Sequence, residues 1–175
     1  PATCKYNTAT CTNTLVKLPI GGKFGKTFFT VGFLMKLSLS VRVAEAPKSK
    51  KDTIRSFDEV AEIASKIGYK AVCMRASQAG IQTALQQIIS ARKKTRELGL
   101  AVSMVTGDFP IPINNDQGPD ALRNITPYLE LAVLLGSDLI RIAMKKEEDI
   151  IWAQRASDEA NERNIKLAHQ SHTQI

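Results

Sequence analysis

Four residues suited to ending a helix, Gly68, Gly99, Gly136 and Asn164, stand 31, 37 and 28 positions apart. Glycine accepts the left-handed backbone in which many helices terminate, and asparagine accepts it better than most residues. Before each lies a stretch with helical spacing of apolar residues, and after each a short apolar run. That interval fits a strand–loop–helix unit, repeated four times before a final strand. Such alternation implies parallel strands joined by right-handed crossovers. Two architectures satisfy it: an open doubly wound sheet and a closed eight-fold barrel.

The units begin near Met35. Lys36 to Val43 alternates apolar and polar residues, a strand pattern. Ser56-Phe57-Asp58-Glu59 is a capping box, and Val60, Ile63, Ala64 and Ile67 follow at helical spacing up to Gly68. Residues 69–76 read as a second strand, 82–98 as a helix and 100–106 as a third strand. A loop over 107–118, rich in Pro and Asn, leads to a helix ending at Leu135, with Thr126-Pro127 marking a break or a fresh start. Residues 138–144 make strand four, 147–163 an amphipathic helix and 165–170 strand five.

Alternation within the strands separates two faces. One carries Ser38, Ser40 and Arg42, then Ala71, Cys73 and Arg75, Ala101, Ser103 and Val105, Leu139, Arg141 and Ala143, and finally Ala168 and Gln170. The other is bulky: Leu37, Leu39, Val41, Val72, Met74, Val102, Met104, Ile140, Ile142 and Leu167, with His169 at its end. Helices pack on a bulky face, whereas a small or polar face suits a barrel interior that turns polar at its mouth. A doubly wound sheet buries both faces and has no use for three arginines on one of them. The fold class expected is therefore a parallel (β/α) barrel of the TIM type, cut off after about five strands.

Composition removes several functions. The formal charge of +7 is uneven, because residues 1–34 hold Lys5, Lys17, Lys23 and Lys26 and no acid, which leaves +3 for the rest. That is an ordinary domain, and with 6% aromatic residues it lacks stacking platforms for bases, so no nucleic-acid partner is expected. No apolar run reaches the roughly 18–20 residues of a membrane span. Cys4, Cys11 and Cys73 are odd in number and lack metal-like spacing, which fits a reduced, cytoplasmic setting.

Residues 1–34 lack the strand–helix period and read as a disordered or non-native upstream extension, with 35–175 as the partial barrel. Within the extension, Gly21-Gly22-Lys23-Phe24-Gly25-Lys26-Thr27 imitates a phosphate-binding loop. Only three residues separate Gly21 from Gly25, one too few for the backbone to curl around phosphates, so it is rejected.

Chemistry in parallel α/β folds sits where strands end and loops begin. Both histidines, His169 and His172, lie at such an end, in Leu167-Ala168-His169-Gln170-Ser171-His172. Either could bind a metal or touch substrate, although alternation turns His169 toward the helices. Gln170 faces inward at the mouth. Arg42, Arg75 and Arg141 share the inner face, where three cations repel unless an anion or carboxylates lie among them. Salt bridges with Glu45, Asp108 or Glu147 are the structural alternative. Asp108 after strand three and Lys145 after strand four are on the face for substrate contact, and Tyr128 and Trp152 read as packing residues.

From Met35 onward the chain resembles the sugar phosphate isomerase/epimerase family of xylose isomerase-like barrels. The resemblance lies in Met35-Lys36-Leu37-Ser38-Leu39-Ser40, Met74-Arg75-Ala76-Ser77-Gln78-Ala79-Gly80, Leu135-Gly136-Ser137-Asp138-Leu139-Ile140-Arg141 and Ile165-Lys166-Leu167-Ala168-His169-Gln170-Ser171-His172. It covers about the first half of the family's usual length. It implies a divalent metal (Mn, Mg, Co or Zn) that polarises a carbonyl while carboxylates move the neighbouring proton. The partner implied is a small carbohydrate or sugar phosphate. In many members a Glu at the end of strand five binds the metal, and here that position is Gln170, with a family His matched by His172. The remaining ligands belong to strands beyond Ile175, so this piece is expected to be inactive alone. A DNA-repair endonuclease of the related barrel group would need zinc-binding histidines on the early strands, and strands one to four have none. A non-catalytic half-barrel that pairs with a second copy to cover its open edges is the stronger alternative.

Deleting residues 1–34 is expected to leave thermal stability unchanged. A melting temperature lower by more than about 5 °C, equivalent to about 1 kcal/mol or more, would mean that the segment packs on the core.

Overall fold

The computed structural model describes residues 35–108 and 117–170. The expectations about residues 1–34 and about His172 fall outside that range, as does most of the loop after strand three. The described elements, in chain order, are β1 (Ser38–Ser40), a 3-10 turn (Val41–Ala44), β2 (Glu45–Ala46), β3 (Ser49–Thr53), α1 (Phe57–Ile67), β4 (Ala71–Arg75), α2 (Leu85–Glu97) and β5 (Ala101–Thr106). They continue with α3 (Asp120–Arg123), α4 (Thr126–Leu135), β6 (Leu139–Ile142), α5 (Asp149–Glu162) and β7 (Lys166–His169).

Local chemistry sets the helix ends. Ser56 accepts from the Glu59 backbone N–H while the Glu59 carboxylate accepts from the Ser56 N–H, a complete capping box at the start of α1. Gly68, Gly99, Gly136 and Asn164 all have positive φ, between 56° and 98°, so the four stop signals terminate helices as their spacing implied. The helix ending at Leu135 does restart at Thr126-Pro127, with Pro in the first turn where its missing N–H costs nothing.

Five strands form one parallel sheet in the order β1-β4-β5-β6-β7, which is chain order. Right-handed crossovers between successively placed strands put every helix on the same side. The core lies there. Val72, Met74, Val102, Val105, Ile140 and Ile142 from the strands join Val60, Ala64, Ile88, Leu129, Leu135 and Ala160 from the helices in one buried cluster. Each fully buried Val, Leu, Ile or Met of this cluster contributes about 1.5–3 kcal/mol.

Three details depart from the sequence reading. The first strand ends at Ser40 rather than Val43, because the Ser40 side chain accepts from the Arg42 backbone N–H at 3.3 Å and starts the 3-10 turn. Arg42 is therefore on that turn, exposed, and not on the strand. A short antiparallel hairpin, β2 with β3, follows and was not anticipated. Between β4 and β5 the register slips, so that Val72 pairs with Val102 but Cys73 pairs with Met104. An extra residue at Ser103 reverses the alternation beyond it. Val105, expected inside, is fully buried in the helix-side core, and Met104, expected among the helices, turns to the inner face.

Replacing Ser56 with Ala removes the hydroxyl half of the capping box and leaves the bond from the residue-56 N–H to the Glu59 carboxylate. We expect a loss of about 1 kcal/mol and a melting temperature lower by about 3 °C, measured by thermal unfolding.

Candidate functional site

Among the described residues no helix covers the face opposite the core, and several of its side chains are polar. Ser38 on β1 pairs in register with Ala71, and its hydroxyl meets the Ser103 hydroxyl at 2.6 Å. Ser103 in turn donates to the Val72 carbonyl at 3.3 Å, where the register slips, so Ser38 is the donor of the pair. These hydroxyls line the half-exposed middle of the inner face.

Toward the C-terminal ends of the strands the lining becomes cationic. Arg75, only 5% exposed, closes β4 and is met by Glu45 from the hairpin. The Arg75 Nε lies 2.5 Å from Glu45 Oε1, Nη2 lies 3.4 Å from Oε2, and the Ser77 hydroxyl donates to Oε1 at 3.0 Å. Both charged side chains are almost fully buried. A buried charge is tolerable only when it is paired and hydrogen-bonded, and this one is both. The internal salt bridge is thus what occupies Arg75, and Glu45 is the acid that does so.

Arg141, on β6, is placed differently. Its Nε is buried with no hydrogen-bond partner, and the side chain as a whole is half-buried. Burial lowers its pKa, and the charges of Arg75 and Arg42 lower it further. Arginine nevertheless stays protonated. The Arg42 side chain, though on the 3-10 turn, is still near enough to act on Arg141. Beside them, burial pushes the Cys73 thiol up against the opposing pull of Arg141 and Arg75. A thiol of raised pKa is a poor nucleophile. Of the three candidate arginines, Arg75 and Arg141 lie on the inner face and Arg42 at its edge.

The remaining candidates are scattered. Gly107 follows β5 where a Cβ would come within 2.8 Å of Leu131, so the chain can close against α4 there. This brings Asp108 to Tyr128, whose hydroxyl donates to Oδ2 at 3.0 Å, while Gln82 donates to Oδ1 at 3.3 Å. Asp108 is thereby held by Tyr128 on α4 and by Gln82. The Lys145 side chain is exposed, and its backbone N–H, with that of Lys146, donates to the buried Asp149 carboxylate. Asp149, which the sequence did not mark, fixes the turn from β6 into α5. Gln170 is exposed just past β7, and its N–H lies 3.4 Å from the Ile142 carbonyl. His169 pairs in register with Ile142 and so belongs to the helix-side face, as alternation indicated.

His169 Nδ1 accepts from the Met144 backbone N–H at 3.2 Å. This leaves the proton of the neutral ring on Nε2, where a metal would need a lone pair. Ligation through Nε2 would require moving that proton to Nδ1 and giving up the Met144 bond. Among the described residues no group of three or more His, Cys, Asp or Glu is arranged to hold a metal. The described residues therefore do not fit a divalent-metal centre by themselves. No described helix is long and apolar enough to cross a membrane.

No protein-family profile and no curated protein matches the chain. Solved structures do. A xylose isomerase-like TIM barrel protein from Mycobacterium smegmatis, in complex with magnesium, superposes with a TM-score of 0.56 at 12% identity, over 77% of this chain and 54% of that one. The chain has the fold of part of a xylose isomerase-like TIM barrel. D-psicose 3-epimerase from Clostridium cellulolyticum, with D-tagatose, gives 0.54 at 12% identity over 76% and 51%. A family 2 AP endonuclease from Brucella melitensis gives 0.51 at 11% identity over 77% and 55%. The chain spans about half the length of these three structures. The barrel assignment rests on this likeness together with the sequential strand order.

Burial, and then the charge of Asp108, raise the pKa of Tyr128 above its ordinary value of 10.0. The folded chain thus holds the phenol proton more tightly than the unfolded chain does. The contribution is fully present below about pH 10 and is lost as pH rises toward the folded-state pKa. Tyr128→Phe is expected to cost about 1–2 kcal/mol at pH 8, by loss of a hydrogen bond to a carboxylate, and less at pH 11. Denaturant unfolding at the two pH values checks this. A gap between the proteins that does not narrow would oppose it.

Proposed function

We propose that this chain forms the first part of a barrel that isomerises or epimerises a sugar or sugar phosphate by proton transfer next to a carbonyl. One observation carries the reading: a one-sided parallel sheet whose uncovered face is polar and cationic at the strand ends, where barrels of this type bind substrate. The structural neighbours support it to the extent that one is named a sugar epimerase with D-tagatose and another a complex with magnesium.

Within the proposal, Arg141 and Arg42 contact substrate, Arg75 holds Glu45 and the hairpin against the sheet, and Gln170 contributes a neutral polar group at the mouth. Lys145 and Asp108 remain candidates for loop contacts once the barrel is complete. A divalent metal belongs to the proposal for the whole barrel only, with His172 as its candidate ligand from this chain, since His169 is turned to the helix side with Nδ1 engaged, and no step is assigned to the metal. The endonuclease reading has a structural neighbour but little else, since His169 is the only histidine among the described residues.

A second reading has its own observation. Among the described residues β1 and β7 each have one unpaired edge in the sheet, and the inner face is half-exposed, so a second copy could cover both. Light scattering after size-exclusion chromatography separates a monomer from such an assembly.

The test of function is an assay against ketoses and sugar phosphates with manganese, magnesium or cobalt, on this chain and on a longer protein that contains it. We expect turnover from the longer protein and little or none from the 175-residue chain, because loss of part of a catalytic constellation costs orders of magnitude in rate. Strong turnover by the isolated chain would refute the claim that it is incomplete. A longer protein that neither turns over sugars nor binds a divalent metal would refute the function.

A further inference from the structure

We infer that Arg141, flanked by Arg42 and Arg75, is the receptor for an oxyanion on the inner face of the sheet, the carboxylate or phosphate group of a bound molecule. The argument begins with an unmet donor. Arg141 Nε is buried without a hydrogen-bond partner among the described residues, although buried polar groups are normally paired. Among the described residues, the carboxylate paired with this cluster is Glu45, and it is committed to Arg75 and Ser77. Three guanidinium groups against one carboxylate leave two positive charges in excess.

Such an excess is costly to the folded chain by itself, and an anion removes the cost. The Nε and Nη of an arginine form a fork that matches two oxygens of a carboxylate or phosphate. The surrounding lining suits oxygen as well, with the Ser40 hydroxyl beside Cys73 and the Ser38 and Ser103 hydroxyls deeper on the same face. A cation finds the opposite conditions here. The division of labour between the arginines follows: Arg75 is held by Glu45 and supplies field, Arg141 supplies the unpaired donor, and exposed Arg42 adds positive charge from the 3-10 turn.

The inference rests on the sugar isomerase reading only for what molecule carries the oxyanion, and its test needs neither metal nor turnover. Thermal unfolding and titration calorimetry of the whole chain are run at constant ionic strength with inorganic phosphate in one arm and acetate in the other. We expect at least one of them to bind and to raise the melting temperature by several degrees. Binding of phosphate alone identifies a phosphate group, and binding of acetate a carboxylate.

Arg141→Met should abolish the shift. It should also melt higher than the unsubstituted protein without anion, by about 2–5 °C, because it removes a half-buried unpaired charge. A residue with a merely structural role would instead lower it. Should Arg141→Met fail to fold, Arg42→Gln on the exposed turn decides, with anion affinity expected to fall at least threefold. Absence of binding by either anion, an equal shift in Arg141→Met, or unchanged affinity in Arg42→Gln would overturn the inference. Anion binding without sugar turnover by any longer protein would leave it standing and remove the isomerase reading. Turnover of neutral sugars without anion binding would do the reverse.

Discussion

Parallel strands cannot be joined by tight turns, so each must be followed by a crossover, and right-handed crossovers between successive neighbours all fall on one side. This constraint governs the rest of the structure. It puts α1, α2, α4 and α5 against the same face of the sheet, where Val72, Met74, Val105 and Ile140 are completely or almost completely buried. Among the described residues it equally leaves the other face without helices. Residues there are free to be small, hydroxylic or charged, and Ser38, Cys73, Ser103 and Arg141 are all of that kind. The contrast between the faces follows from strand order, and the place for chemistry follows from the contrast.

The Arg75–Glu45 pair shows how a polar face is still made stable. Two charges leave water, which costs several kcal/mol per ion, and the bidentate contact with help from Ser77 offsets much of this. In return the hairpin β2–β3, which has few apolar residues of its own, is tied to the end of β4. The same pairing decides which arginine has a function to spare. Arg75 spends its donors on structure, and Arg141 does not.

Much of the fold was legible because it is encoded locally. A glycine or asparagine in the left-handed region and a serine with a glutamate three residues on need no distant partner, so Gly68, Gly99, Gly136, Asn164 and the Ser56 box could be read directly. The errors came where competing patterns are equally apolar. Val102-Ser103-Met104-Val105 satisfies alternation in either register, and only the pairing with β4 shows that Ser103 is the extra residue. Val41 and Val43 continue the first strand's period, yet the Ser40 hydroxyl captures the Arg42 N–H and turns the chain, leaving Val43 60% exposed. The β3 run Ser49-Lys50-Lys51-Asp52-Thr53 has no apolar residue to betray a strand.

The site was legible by position and not by role. Alternation could say that Arg75 and Arg141 share a face, but not that Glu45, 30 residues away from Arg75, would neutralise one and not the other. Asp108 illustrates the same limit, because its tie to Tyr128 spans 20 residues and needs Gly107 to bring the backbone against α4. The donor set that results has consequences for what the face can hold. A divalent cation requires carboxylates or neutral imidazoles pointing inward, and here His169 is turned to the helix side with its Nδ1 engaged. The described residues offer excess guanidinium instead. A divalent metal would need carboxylates that the described residues do not gather on this face, whereas an oxyanion meets donors already in place.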